Sequence, residues 1–280
     1  MKGTLYICPT PIGNLEDITI RTINTLKSVD LIAAEDTRHT IKLLNHLGIS
    51  KPLISYHEHN KYTQGENIIN KLLNGENVAL VSDAGMPGIS DPGEDLIKLS
   101  IQNDINVIVL PGPSAFVNAL VGSGISTSKF VFEGFLERDK SSRKKQLEKL
   151  KYEQRTIIFY ESPHRLKSTL EDIAKTFGED RNIAICRELT KKYEEYIRSD
   201  LKTALEIFSD RQVKGEFVLV LEGFKGEKEE INIYENLSIK EYVVKLMNDG
   251  IRKKDAIKQV AKERNLPKNE VYKEVLDIEK

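Results

Sequence analysis

The chain has 280 residues, 39% hydrophobic and 30% charged, with a formal net charge of −1. That length allows two domains and a short third. The absence of any apolar run of about 18 residues excludes a membrane-spanning helix. The opening segment MKGTLYICPTPIGN has too short an apolar stretch before its prolines for a signal peptide. Cys8 and Cys186 lie far apart in apolar runs, the pattern of buried thiols in a reducing cytoplasm, with neither a disulfide nor a metal framework.

In chain order, TLYIC (4–8), LIAA (31–34), LISY (53–56), NVALVS (77–82) and NVIVLP (106–111) read as strands. Several are apolar on both faces, as in a sheet covered by helices on each side. DITIRTINTLKSV (17–29), TRHTIKLLNHLG (37–48), GENIINKLLNG (65–75) and EDLIKLSIQ (94–102) carry helical spacing between them. A second set follows SAFVNALVGSGIS. FVFEGFL (130–136), RTIIFYES (155–162), NIAICREL (182–189) and EFVLVLEG (216–223) are its strands, and PHRLKSTLEDIAKTFG and DLKTALEIFSDR its helices. This alternation predicts an α/β fold. Glycine and serine concentrate at 114–125, which divides the chain into α/β domains over 1–116 and 117–226.

KGEKEE (225–230) reads as a linker and 231–280 as a small helical tail. Ser238 and Glu241 form a capping box ahead of YVVKLM. KKDAIKQVAKERN and PKNEVYKEVLDIEK follow, separated by NLP in the manner of a helix-turn-helix. Residues 236–280 hold 11 Lys/Arg against 8 Asp/Glu, and a second basic stretch, RDKSSRKKQLEKLK, covers 138–151. Either suits RNA phosphates or an ordinary solvated helix face. Tyr242 and Tyr272 could stack on bases, but both fall at apolar-face spacing, which favours a core position.

Each strand of the first set is followed by an irregular segment: PTPIGN (9–14), EDTR (35–38), HEHN (57–60), SDAGMPGISDPG (82–93) and PGPSA (111–115). In a parallel sheet these segments share one edge, where open α/β folds bind ligands. Glycine permits close backbone approach, and proline reduces the entropy lost on binding. Neither a P-loop nor G-x-G-x-x-G is present. His57-Glu58-His59 lacks a third ligand at metal-site spacing, and Ser114 lacks the G-x-S-x-G elbow of a hydrolase.

PTPIGNLEDIT, AEDTRHT, SDAGMPGISDPG, PGPSA, YESPHR, RELTKKYEE and GEFVLVLEG occur in this order. Together they closely resemble the ribosomal RNA small subunit methyltransferase I family over residues 3–223. That family belongs to the class III, or tetrapyrrole-methylase-like, S-adenosylmethionine (SAM) methyltransferases, and the tail resembles its helix-turn-helix. The resemblance implies two α/β domains with SAM, the methyl donor, in the cleft between them, no metal, and a homodimer. It implies methylation of the ribose 2′-oxygen of a cytidine in the decoding region of small-subunit (16S) rRNA; the substrate is either naked rRNA or the assembled 30S subunit, the latter being the expected partner.

Carried over by position, the SAM site includes Pro9, Gly85, Met86, Ile89, Ser114 and Ala115. The second domain adds Tyr160, Leu189 and Glu216 or Phe217. Relatives usually carry threonine in place of Met86, and GFLP where this chain has GFLE ending at Glu137.

A ribose hydroxyl is a weak nucleophile, so transfer calls for a base. Glu35 is the first candidate, with Asp36, Asp91 and His164 as alternatives. Arg38, Arg165 and Arg187, with His164, are candidates for holding the RNA. Glu35-Asp36 equally suits a helix N-terminus, and His164 the start of a helix. Two rival readings are a tetrapyrrole C-methyltransferase and a non-catalytic RNA-binding protein.

Overall fold

The computed structural model describes residues 1–226, 237–264 and 266–276, in two compact units, Met1–Lys225 and Gly226–Lys280. Most of the expected linker and the start of the tail at 231 lie outside the described residues.

The first sheet is made of β1 (Thr4–Ile7), β2 (Leu31–Ala34), β3 (Leu53–Ser55), β4 (Val78–Val81) and β5 (Asn106–Val109). Its order is β3-β2-β4-β1-β5, and every pairing is parallel. All four residues of β2 and of β4 are buried, so their unbroken apolarity reflects helices on both faces. Leu5, Leu80 and Leu31 pack with Ile68 of α3 (Lys61–Leu73) and Leu96 of α4 (Glu94–Gln102). Ile32, Ala79 and Val81 pack on the other face with Leu26 of α1 (Ile20–Ser28) and Leu44 of α2 (Thr37–His46). Helix α3 starts before the expected residue 65, because its first turn, KYTQ, is polar and lies on the surface side of the pattern.

The second sheet contains β6 (Phe130–Phe135), β7 (Thr156–Glu161), β8 (Asn182–Arg187), β9 (Glu195–Asp200) and β10 (Phe217–Leu221), in the order β6-β7-β10-β8-β9. Only β6 and β7 run parallel; the other pairs are antiparallel. One face packs on α6 (Lys140–Leu150), α7 (Leu166–Phe177) and α8 (Leu201–Ser209) through Leu147, Leu170 and Phe208. The other face lies under α5 (Ala115–Ser123), with Ala119 and Leu120 against Ile158 and Val218, and Ile12 from the first half joins this cluster. The expected division at 116/117 therefore falls in the first turn of α5, and residues 1–225 form one compact unit.

Strand β9 was not anticipated. EYIRSD has only two adjacent apolar residues, Tyr196 and Ile197, among charged and polar ones, is only partly buried, and sits at the sheet edge. The basic stretch 138–151 is not a uniformly solvated face either. Arg143 in α6 is buried and donates from Nε (2.8 Å) and Nη2 (2.7 Å) to Asp172 Oδ2 of α7.

The second unit consists of α9 (Ile239–Asn248), α10 (Lys253–Glu263) and α11 (Lys268–Glu274) around Leu246, Ile257, Val260 and Val271. Both halves of the Ser238–Glu241 capping box are made. Tyr242 is in this core, with its hydroxyl bonded to Glu263. Tyr272, by contrast, is 54% exposed. Among the described residues no helix is long and apolar enough to cross a membrane.

Candidate active site

The loops after β1, β4 and β5 emerge side by side because their strands are neighbours in the sheet. Two backbone bonds clamp the first pair: the Thr10 amide donates to the Gly85 carbonyl (2.9 Å), and the Gly85 amide to the Thr10 carbonyl (3.0 Å). Gly85 adopts φ +80°, a region that penalises any side chain. Gly93, at φ +152°, lets the loop close on itself; a Cβ there would lie 3.0 Å from the Gly88 nitrogen. The glycine- and proline-rich stretch is thus a rigid floor rather than a loose connector.

This floor bounds a cavity of about 380 Å³, within the range of about 300–1,000 Å³ usual for small-molecule sites. Gly85, Met86 and Ile89 line it from the loop after β4, and Ser114 and Ala115 from the start of α5. From the second sheet come Tyr160, Leu189, Glu216 and Phe217. Pro9 does not line the cavity. It packs on Gly112, where a Cβ would meet the Pro9 Cβ at 2.8 Å. Ile12, Phe135, Val218 and the Glu161–Ser162–Pro163 turn also line it. Sequence reasoning missed them although Ile12, the turn and Val218 lie inside quoted motifs.

Ile12, Met86, Leu189 and Val218 make the wall largely apolar. Met86 also packs against the core of the first sheet, so its side chain contributes apolar bulk at this point of the wall. Ser114 holds the N-cap position of α5 without a capping side-chain bond. Tyr160 stands edge-on to Phe132 (4.9 Å) and Phe135 (5.5 Å), and burial pushes its phenol up to about 12. Leu189 is presented by a strained turn, since Glu188 and Thr190 on either side have φ +50° and +63°. Lys191 braces that turn, with Nζ 2.7 Å from Glu216 and 3.1 Å from Glu188.

The acids behave differently from one another. Asp36 caps α2 by accepting from the Arg38 amide (2.8 Å), and it also pairs with the Arg38 guanidinium. These bonds hold its carboxyl well below the usual range. Glu35 does not line the cavity. Its Oε2 lies 3.5 Å from the Asp83 amide, while the Asp36 amide donates to Asp83 Oδ1 at 3.2 Å. Burial raises the Glu35 carboxyl, and the Asp83 charge adds to that. Asp91 does line the cavity. Burial, followed by the charges of Glu35 and Asp83, moves its pKa up to about 7. Ser90, immediately before it, has φ +62°.

The expected RNA-facing residues divide. Arg165 is turned inward: its Nη2 donates to the Leu136 and Glu137 carbonyls, and its Nε lies 3.6 Å from the buried Glu161. Arg187 likewise donates to the Lys214 carbonyl (2.7 Å) and pairs with Glu195. Arg38 and His164 are exposed. Cys8 and Cys186 are both buried, and burial pushes each thiol up to about 12. Among the described residues no group of three or more His, Cys, Asp or Glu is arranged to hold a metal ion.

The family profile for Tetrapyrrole (Corrin/Porphyrin) Methylases matches residues 4–205. Proteins named Ribosomal RNA small subunit methyltransferase I from Halalkalibacterium halodurans and Bacillus subtilis are 52% and 53% identical to this chain. The matches span 97% and 96% of it, and 94% and 93% of those proteins. The protein of that name from Synechocystis is 46% identical over 99% of both chains. Among solved structures, cobalt precorrin-4 methyltransferase has a TM-score of 0.59 at 16% identity, covering 78% of this chain and 94% of its own. Diphthine synthase also gives 0.59, at 11% identity, covering 79% and 90%. These last two similarities concern the fold.

Proposed function

The chain belongs to the ribosomal RNA small subunit methyltransferase I family, and from that premise we propose that it methylates the ribose 2′-oxygen of a cytidine in the decoding region of small-subunit rRNA, with SAM as donor. The observation that carries this reading is the cavity of about 380 Å³ with Asp91 on its wall. The lining fits SAM. Apolar Ile12, Leu189 and Val218 suit an adenine ring, the Ser114 hydroxyl and Glu216 carboxylate suit polar groups, and Gly85 allows backbone contact. The acids Glu35, Asp83 and Asp91 give this edge a negative field that suits a sulfonium.

SAM supplies an electrophilic methyl, so transfer to a hydroxyl forms one C–O bond, breaks one C–S bond, leaves a neutral thioether and releases one proton. The protein must align the hydroxyl, exclude water and accept that proton. Alignment in a rigid site contributes about 7–11 kcal/mol, and here the Thr10–Gly85 clamp and the braced 188–191 turn supply the rigidity. We assign the proton to a carboxylate oxygen of Asp91, because it is in the cavity and its pKa of about 7 suits a base at neutral pH. Glu35, the first candidate from sequence, stands outside the cavity and acts on Asp91 through its charge.

The test is methyl transfer from labelled SAM to 30S subunits lacking ribose methylation, followed by mass spectrometry of the digested RNA. A single 2′-O-methylcytidine in the decoding region is expected. SAM binding with no transfer to subunits, or transfer to a porphyrinoid instead, would refute the rRNA assignment.

A further inference from the structure

A second cavity, also of about 380 Å³, adjoins the first, and Ile12, Ala84 and Glu216 line both. It is bounded by the loop after β1, the outer face of α2, the start of the loop after β4, and Lys191. Its supports are fixed. The buried Thr10 hydroxyl donates to the Ser82 carbonyl (3.1 Å), and the Asn14 amide to Thr190 Oγ1 (3.1 Å). Gly13 lies so flat on the 188–191 turn that a Cβ would come within 2.4 Å of Lys191 Cγ.

The lining is of two kinds. Pro11, Leu15 and Leu43 are apolar, while His39, Asp83 and Lys191 are polar. Apolar surface suits the faces of a nucleobase, and flanking donors and acceptors suit its edge and sugar. The sugar of a nucleotide stacked in an RNA strand cannot enter a concave site unless that nucleotide leaves the stack. We propose that this second cavity receives the target ribonucleoside, turned out of its strand, with its base between the Pro11–Leu15 loop and Leu43 and its ribose toward Ile12 and Ala84, which both cavities share. This assignment rests on the methyl-transfer reading above. It puts the attacking hydroxyl at the boundary of the two cavities, where Asp83 lines one and Asp91 the other. The O–H proton passes to Asp91 as the C–O bond forms and the C–S bond breaks. Asp83 binds to the loop after β2 and positions this edge. His39, exposed at the head of α2, is a built-in reporter at the mouth.

The experiment titrates the full chain with millimolar cytidine 5′-monophosphate and follows the histidine ring signals by NMR, in wild type and in Leu43→Trp, whose indole fills the cavity. The His39 signal is expected to move saturably in wild type while His46 and His164 stay still, and the movement is lost in Leu43→Trp. Leu43→Trp should also lower methyl transfer to 30S subunits at least tenfold, with SAM affinity within about twofold of wild type. A His39 signal that never moves, or moves equally in the filled variant, overturns the proposal. If Leu43→Trp does not fold, His39→Ala replaces it in the transfer assay, and an unchanged KM for subunits overturns the proposal. Wild type that transfers no methyl to subunits refutes the methyl-transfer reading alone, and the titration still decides the cavity.

Discussion

Replacing Asp91 by asparagine removes the proposed proton acceptor while keeping its size. With a pKa of about 7 in the donor-free protein, Asp91 is about 9% ionised at about pH 6, half at about 7 and about 91% at about 8, so a step that needs the carboxylate gains roughly tenfold across that window. The profile to measure is the transfer rate with SAM and 30S subunits both well below saturation, because it reports groups in the free enzyme. Wild type should rise to a plateau through pH 7. Asp91→Asn should be lower by about 10²–10⁴-fold and flat across the same range, with SAM affinity largely kept.

Stability supplies an independent sign. The folded pKa lies above the ordinary value of 3.8, so between these values the folded state holds a proton that the unfolded state has lost. Asp91 therefore costs stability progressively as pH rises through this window, and asparagine does not. The variant's melting temperature should overtake that of wild type on going from acid to alkaline pH. A rising limb near the ordinary carboxylate value, or a variant within threefold of wild type, would refute the assignment.

Glu35→Gln removes one of the charges that raise Asp91. It should shift the rising limb to lower pH, by roughly a few tenths of a unit to one unit, and lower plateau transfer less than tenfold; a loss as large as that of Asp91→Asn would return the base to Glu35. Gly85→Ala places a Cβ at φ +80° and 3.4 Å from Ile12 Cγ2. Chemical denaturation should show a loss of about 1–2 kcal/mol, and calorimetry a weaker SAM affinity. Arg143→Ala leaves Asp172 buried without its guanidinium. Urea unfolding should show a loss of about 3–5 kcal/mol, and a loss below about 1 kcal/mol would mean that water replaces the pair.

The sequence made the sheets legible wherever burial on both faces left an uninterrupted apolar run, as in LIAA and VALV. It did not reveal β9, whose edge position leaves it partly exposed and lets charged and polar residues make up most of the strand. The loop residues around the first cavity were legible for a local reason: glycine and proline mark places where the backbone must turn or approach closely, and Gly85 and Gly93 do both. The carboxylate arrangement was not local. Glu35 and Asp83 lie 48 positions apart and meet because β2 and β4 pair in parallel with Ala34 opposite Val81. That register brings the first two residues beyond each strand together. Asp83 stood in the quoted stretch, yet nothing in its spacing said which strand would lie beside its own. Once the register is known, the roles follow. Asp36 is taken by Arg38 and the α2 cap, Asp83 by the loop after β2, and Glu35 by Asp83. Asp91 alone of the four lines the first cavity, the placement that favours it as the proposed acceptor of the hydroxyl's proton, while Glu35 and Asp83 raise its pKa through their charges.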